Sequence, residues 1–479
     1  MAPGYVADMP STGTRRGLAT RLAWSTHVAR RAPFEGRFPF REPATIERVQ
    51  RRRLEATVRH AFEHVPYYRE TMGRLGLRPG DIRAVGDLAG LPLLEREQVQ
   101  RDPEYYLSRA EPADSYVELR SSGSTGDPLS LLYHPFSLFE QAVYSERRRS
   151  VISRLAGRRR YREARVVDVL LSPAGRPTLS QVFRGLSLIS PAVRMRQRHY
   201  GAVTPLEELI PQLDEFRPDV ISSFGSFHEM LFTHLLQGGQ RMHLPRVAVY
   251  AGDAMTESAR AMIGREFGVE VLSAYTASEA PQIGFECERH RGHHLNVDLF
   301  PVRIVSDSGE DVPEGESGEV VVSNLQSRGT VLLNYRLNDV AARLPDRCPC
   351  GRTLPLLSLV QGRTDEWLED SRGRHVHSQW VRGFLLREEE VLRFQVVQES
   401  RSRFRTALVT APGADRGAIT RRLSRRFESA FGAGTEVSVS FVDSLPRSPA
   451  GKARPVISMP VLGRAEAAGM VHTGKGGAG

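Results

Sequence analysis

The sequence predicts an α/β protein: a large N-terminal domain with mixed, largely parallel sheets and a small barrel-like subdomain, then a small α+β C-terminal domain. Three observations carry this reading. Short apolar runs (Val166–Leu171, Val220–Ser223, Val247–Tyr250, Val269–Leu272) alternate with stretches of helical periodicity such as Pro205–Phe216 and Ser258–Phe267, the pattern of parallel strands joined by helices. From Val302 to Asn324 the strands crowd together around the turn signals Asp307-Ser308-Gly309 and Pro313-Glu314-Gly315, which predicts a small antiparallel or barrel-like region. After Gly362 the pattern restarts with a helix near Ser378–Glu390, strands at Phe394–Glu399 and Thr406–Thr410, a helix at Arg416–Phe431 and a strand at Glu436–Val442.

The remaining elements follow in chain order. Residues 1–40 mix Pro, Gly, Ser, Thr and Arg without a compact apolar segment and read as a disordered or loosely packed leader, not a secretory signal. Ile46, Val49, Leu54, Val58, Phe62 and Val65 recur at helical spacing, so residues 43–75 read as helical. The N-terminal domain spans 41–362 and the C-terminal domain 363–460. Residues 461–479 end in Gly-rich sequence and read as a disordered tail.

Composition narrows the class. With 40% hydrophobic and 25% charged residues the chain is ordinary for a globular protein. No apolar run reaches the roughly 18 residues of a membrane span. Three cysteines argue against a disulfide scaffold and for a reducing, cytoplasmic setting. The net charge of +10 raises the question of nucleic acid. Yet of the 66 basic residues only Lys452 and Lys475 are lysines, which looks like an arginine-rich background and not a selected basic face. Arg147-Arg148-Arg149 and Arg158-Arg159-Arg160 therefore read as solvated faces, with neither nucleic acid nor membrane as partner. In such a chain an internal lysine suggests chemistry that a planar guanidinium would not fit. Lys452 lies in Leu445-Pro446-Arg447-Ser448-Pro449-Ala450-Gly451-Lys452.

Several motifs carry candidate chemistry. Ser121-Ser122-Gly123-Ser124-Thr125-Gly126 follows an extended segment; its hydroxyls and backbone N–H groups suit phosphate oxygens, although a Walker A ending is missing. Ala274-Tyr275-Thr276-Ala277-Ser278-Glu279 puts an aromatic face, hydroxyls and a carboxylate at a strand end, suited to base stacking, phosphate and a metal, or to a capped helix start. Asn334-Tyr335-Arg336-Leu337-Asn338-Asp339 places an acid where it can accept from sugar hydroxyls, or forms a plain turn. Gly362-Arg363-Thr364-Asp365 falls at the domain junction.

In this order, closed by Leu-Pro-Arg-Ser-x-x-Gly-Lys, the motifs resemble the acyl-adenylate-forming superfamily, nearest its phenylacetate–CoA ligase branch, from about Arg41 to Met459. The resemblance implies ATP-dependent activation of a small carboxylic acid to acyl-AMP and a mobile C-terminal domain. It implies that Ser121 to Gly126 hold the ATP phosphates, Tyr275 stacks on adenine near Gly252 and Asp253, Glu279 binds Mg²⁺, and Thr276 or Ser278 contacts the α-phosphate region. Asp339 and Arg363 would hold the ribose, Asp365 would be the hinge, and Lys452 would bridge the carboxylate and α-phosphate. Gly373 matches the path to CoA, but the residues after it depart from the branch's pattern. Tyr133, Phe136, Phe224 and Gly225 are candidates for the acyl pocket, whose aromatics suit an aryl acid. The branch also shows Cys-x₆-His and Cys-x-Cys-Gly, matched by Cys287, His294, Cys348 and Cys350, a donor set fitting structural Zn²⁺; His290 or His293 could replace His294.

Three functions follow: an acid–CoA ligase, an adenylating enzyme that hands the acyl group to an amine or carrier thiol, and a non-catalytic nucleotide-binding relative. Intact Glu279, Asp339 and Lys452 argue against the third. A homodimer is the candidate assembly.

Overall fold

The computed structural model describes residues 18–120, 129–167, 196–202, 204–238, 240–360, 362–363, 367–372, 375–377, 381, 384–385, 388, 390–446 and 455–458. The Ser121–Gly126 loop, Asp365, Gly373 and Lys452 lie outside the described residues.

Helices α1 (Leu18–Glu35), α2 (Pro43–His64), α3 (Pro66–Arg74) and α4 (Arg96–Arg101) precede the hairpin of β1 (Val117–Arg120) and β2 (Ser130–Tyr133). The single helix expected over 43–75 is two. Proline disfavours helical backbone in the residue before it, and Val65, ahead of Pro66, is extended at φ −112° and ψ 118°. The leader also differs from expectation. From Leu18 it carries α1, where Trp24 packs on Phe136 and Phe139 while His27 and Arg31 both pair with Glu140.

Helices α5 (Pro135–Tyr144) and α6 (Glu146–Leu155) lead into the main sheet. Its parallel half comprises β3 (Arg162–Val166), β4 (Arg196–Tyr200), β5 (Val220–Ser223), β6 (Val247–Ala251) and β7 (Glu270–Tyr275). Helices α7 (Leu206–Phe216), α8 (Gly225–Leu236) and α9 (Glu257–Phe267) connect these strands. The antiparallel half comprises β8 (Gly284–Glu286), β9 (His293–Leu295), β10 (Val302–Val305), β11 (Ser317–Val322), β12 (Tyr335–Leu344) and β13 (Leu356–Leu357). Among the described residues this is one sheet ordered β10-β11-β12-β13-β9-β8-β7-β6-β5-β3-β4, with β14 (Gly362–Arg363) beside β12. The crowded strands read from 302–324 are therefore hydrogen-bonded into the main sheet through β13.

Then come the hairpin β15 (Trp367–Glu369) and β16 (His375–His377), strands β17 (Val391–Ser400) and β18 (Arg403–Thr410), helix α10 (Arg416–Phe431), β19 (Glu436–Phe441) and β20 (Val456–Ile457). The order β19-β18-β17-β20 makes a second sheet. Its core is separate: Ile419, Leu423 and Phe427 of α10 bury against Phe394, Val396, Phe404 and Leu408. Those α10 residues stand four apart, one helical stripe covering one sheet face.

One basic run differs from expectation. Arg158 to Arg160 are exposed, but Arg147 is only 1% exposed. Its guanidinium donates to Glu35, Asn296 and Asp298 and lies 4.1 Å from the centre of the Phe38 ring. A buried charge survives only when paired and hydrogen-bonded, and two carboxylates supply that here. Among the described residues no helix is long and apolar enough to cross a membrane.

Candidate active site

Two of the motifs singled out in the sequence, Tyr275–Glu279 and Asn334–Asp339, come together between β7 and β12. Tyr275 closes β7, and the turn after it brings Glu279 back under the hairpin. Residues 276–279 form that turn and no helix, so the capped helix start does not occur. The Tyr133 hydroxyl, at the end of β2, donates to the carbonyls of Ser278 (2.6 Å) and Glu279 (3.2 Å), and Asn324 Nδ2 donates to the same Glu279 carbonyl at 2.8 Å. Burial beside Glu279 pushes the Tyr133 phenol well above its usual range, so it serves as a fixed donor. Thr276 and Ser278 are half-buried on the turn.

The Glu279 side chain is 8% exposed. Its Oε1 accepts from Arg96 Nη1 and from the Tyr335 hydroxyl, each at 3.3 Å. One buried carboxylate suits Mg²⁺, which keeps several waters and takes one or two carboxylates alongside substrate phosphates. Arg96 belongs to none of the motifs read in the sequence, and Tyr335 stands there only as a member of the Asn334–Asp339 motif, with no role of its own. An arginine carries little signal in a chain that uses it everywhere.

Asp339 is placed by a bulge. Between Glu319 and Val321 of β11 the register against β12 slips, and Asn338 there has φ +59°. Asparagine tolerates this left-handed backbone better than most residues. Asp339 Oδ2 then accepts from the Tyr275 hydroxyl at 2.8 Å, joining two motifs 64 residues apart. In the β12–β14 ladder Asp339 pairs with Arg363. His293 backs Tyr275, with ring centres 5.7 Å apart.

The Gly252-Asp253 turn follows β6, with Gly252 at φ +84°. The Asp253 carboxylate is already committed: it accepts from the backbone N–H groups of Gly225 and Ser226 and from the Ser226 hydroxyl, capping α8. Gly225 is needed for close approach, since a Cβ there would lie 2.6 Å from the Ala254 carbonyl oxygen. The acyl-pocket candidates pack in different surroundings. Phe136 packs on Trp24 and His27 of α1, whereas Phe224 edges the cluster of Val166, Tyr200 and Ile221. Tyr133 belongs to the Glu279 framework.

The second centre brings Cys287, His294, Cys348 and Cys350 together, with ligand atoms within 4.8 Å of one another. Cys287 Sγ lies 3.6 Å from Cys348 Sγ, and Cys350 Sγ 3.3 Å from His294 Nε2. Bonds of about 2.3 Å to zinc at tetrahedral angles put two sulfurs about 3.7 Å apart, so the set fits. Backbone N–H groups of Arg289 and Arg352 donate to Cys287 and Cys350 at 3.4 Å. Burial, with Arg352 nearby, holds His294 down to about 4, in its neutral, ligating form. The alternatives are occupied elsewhere: His293 Nε2 contacts the Ser273 hydroxyl, and His290 lies against Glu286, Glu270 and Arg260.

The chain is similar to known proteins over most of its length. Residues 368–459 match the CapK C-terminal domain family. The phenylacetate-coenzyme A ligase of Thermus thermophilus is 28% identical over 375 residues, covering 74% of this chain and 78% of that protein. The Escherichia coli phenylacetate-coenzyme A ligase is 26% identical over 439 residues, covering 84% and 92%. The crystal structure of 2-hydroxyisobutyryl-CoA ligase in the postadenylation state, in complex with R3-HIB-AMP, superposes with a TM-score of 0.67 at 18% identity, covering 90% of this chain and 94% of that one. By sequence the chain is thus similar over most of its length to phenylacetate-coenzyme A ligases, and by fold to 2-hydroxyisobutyryl-CoA ligase.

Proposed function

We propose that this protein activates a small carboxylic acid, aryl in the simplest reading, as its acyl-AMP and then transfers the acyl group to CoA. The observation that carries this is the hydrogen bond between Tyr275, at the end of β7, and Asp339 of β12, with Glu279 in the turn after Tyr275 held by Tyr335 of the same β12. A carboxylate attacking an α-phosphate brings two anions together, so the site must supply fixed donors and cations. Asp339, oriented by Tyr275, accepts from the ribose hydroxyls, and the Tyr275 ring offers its face to adenine. The Ser121–Gly126 segment follows β1 in the sequence, and its N–H groups and hydroxyls hold phosphate oxygens. Glu279 is the carboxylate that would hold Mg²⁺, which when bound offsets charge between the phosphates. Thr276 and Ser278 face the α-phosphate. Lys452 offsets charge between the attacking carboxylate and the α-phosphate, then withdraws as residues 363–460 rotate about Asp365 to open the thiol's path past Gly373. Cys287, His294, Cys348 and Cys350 hold a structural zinc.

Incubation with ATP, a panel of aryl and aliphatic acids, and CoA tests this. The expected products are AMP, pyrophosphate and a thioester. Acyl-AMP formation followed by amide, with no thioester, would replace CoA by an amine as acceptor. No acid-dependent pyrophosphate with any acid would reject the reading.

A further inference from the structure

Arg96 stands at an unexpected place for a residue of a six-residue surface helix. The segment before it is stitched to β12: Leu94 donates to the Asn334 carbonyl at 2.9 Å and accepts from the Arg336 N–H at 3.0 Å. The Glu95 N–H then donates to Gln98 Oε1 at 2.8 Å, fastening the first turn of α4. This delivers Arg96 to the carboxylate oxygen that Tyr335 also reaches. The pair is shielded, with side-chain exposures of 15% for Arg96 and 8% for Glu279.

A carboxylate this buried needs a counter-charge. Once a divalent cation binds Glu279, that need is met, and a guanidinium on the same carboxylate becomes a second positive charge a few ångströms from the first. The triphosphate that accompanies the cation offers several anionic oxygens, and the planar fork of arginine matches phosphate geometry. Arg96 has a flexible stem that can turn its guanidinium away from the carboxylate.

We propose that Arg96 is a pyrophosphate-binding residue, parked on Glu279 in the nucleotide-free protein and transferred to the β- and γ-phosphates when Mg·ATP binds. This rests on the adenylating reading above. In that step an oxygen of the acid's carboxylate bonds to the α-phosphorus and the bond from that phosphorus to the bridging oxygen of the β-phosphate breaks. The electron pair departs on pyrophosphate. Arg96 moves no proton; it offsets the charge that accumulates on the leaving group.

Calorimetric titration with Mg·pyrophosphate, Mg·ATP and AMP separates this role from a merely structural one. Arg96→Gln should bind Mg·pyrophosphate and Mg·ATP roughly 10- to 100-fold more weakly, the worth of a charged hydrogen bond, while AMP affinity stays at the wild-type level. Arg96→Lys keeps a cation beside Glu279, so it should fold even if the glutamine variant does not, and should show a smaller loss of the same selectivity. Wild-type pyrophosphate affinity in these variants, or an equal loss for AMP and pyrophosphate, would overturn the proposal. If the wild-type protein itself bound no Mg·ATP, the adenylating reading would fall with it. Binding by wild type and variants alike would remove the Arg96 role alone.

Discussion

At the scale of single residues, the informative positions are those where charge is buried. Tyr275 and Asp339 are legible as partners from the distinctive order of their motifs along the chain, and the fold joins them by a hydrogen bond. Arg147 is not legible. A triple arginine on a helix reads as a solvated face, and only the fold shows that Glu35 and Asp298 approach from elements more than 100 residues away in either direction. Those carboxylates, outweighing burial, hold the Arg147 guanidinium above its usual range. Arg147→Met should cost about 3 to 5 kcal/mol, because two carboxylates lose their main partner inside the protein. Arg53 also pairs with Asp298, which places the expected loss toward the lower figure. Urea denaturation of variant and wild type measures it; a loss near zero would show that the network is dispensable.

At the scale of elements, helical periodicity located α9 and α10 closely and continuous apolar runs located β5, β6 and β7. The run Val166–Leu171, in contrast, meets β3 only at Val166 and otherwise lies largely outside the described residues, and β4, rich in Arg, Gln and His, shows no apolar run. The three-residue strands β8 and β9 and the two-residue β13 are too short to show a period. Their pairings nonetheless build the second centre: Phe285 opposes His294, which opposes Leu356 in turn. The cysteines and histidine were legible as a donor set; the clip they form between the β8–β9 hairpin and the loop after β12 was not. If zinc holds that clip, protein purified without chelators contains it in stoichiometric amount. A strong chelator then lowers Tm by several degrees, since metal binding contributes directly to folding. Metal-free protein of unchanged Tm would reject zinc.

At the scale of the whole molecule, the C-terminal sheet meets the main sheet through contacts that no local pattern announces. Leu392 of β17 joins the cluster of Phe232, Tyr250, Met262 and Ile263, and its carbonyl accepts from the Thr256 hydroxyl at 2.8 Å. Beside it Arg393 lies 3.5 Å from Glu229, whose other oxygen accepts from the Thr256 N–H. Burial, against the pull of Arg393 and Thr256 and with Asp253 adding to it, raises the Glu229 carboxyl to about 7. The folded protein thus keeps a proton that the unfolded chain sheds between roughly pH 4.5 and 7. The stabilisation from this group is full below that window, falls as pH rises through it, and is gone above 7. Glu229→Gln cannot titrate. Relative to wild type it should therefore gain stability between pH 5 and 8, by roughly 3 kcal/mol at about 1.4 per pH unit. A pH-independent difference between the two proteins would contradict this.

The central claim is that the molecule joins an acid to AMP, with Lys452 offsetting the charge of that step. Acid-dependent release of pyrophosphate from ATP by wild type and Lys452→Ala, alongside consumption of supplied acyl-AMP by CoA, tests it most directly. The account predicts that Lys452→Ala loses pyrophosphate release by about 10²- to 10³-fold while still consuming acyl-AMP. Undiminished acid-dependent pyrophosphate release by Lys452→Ala would contradict it.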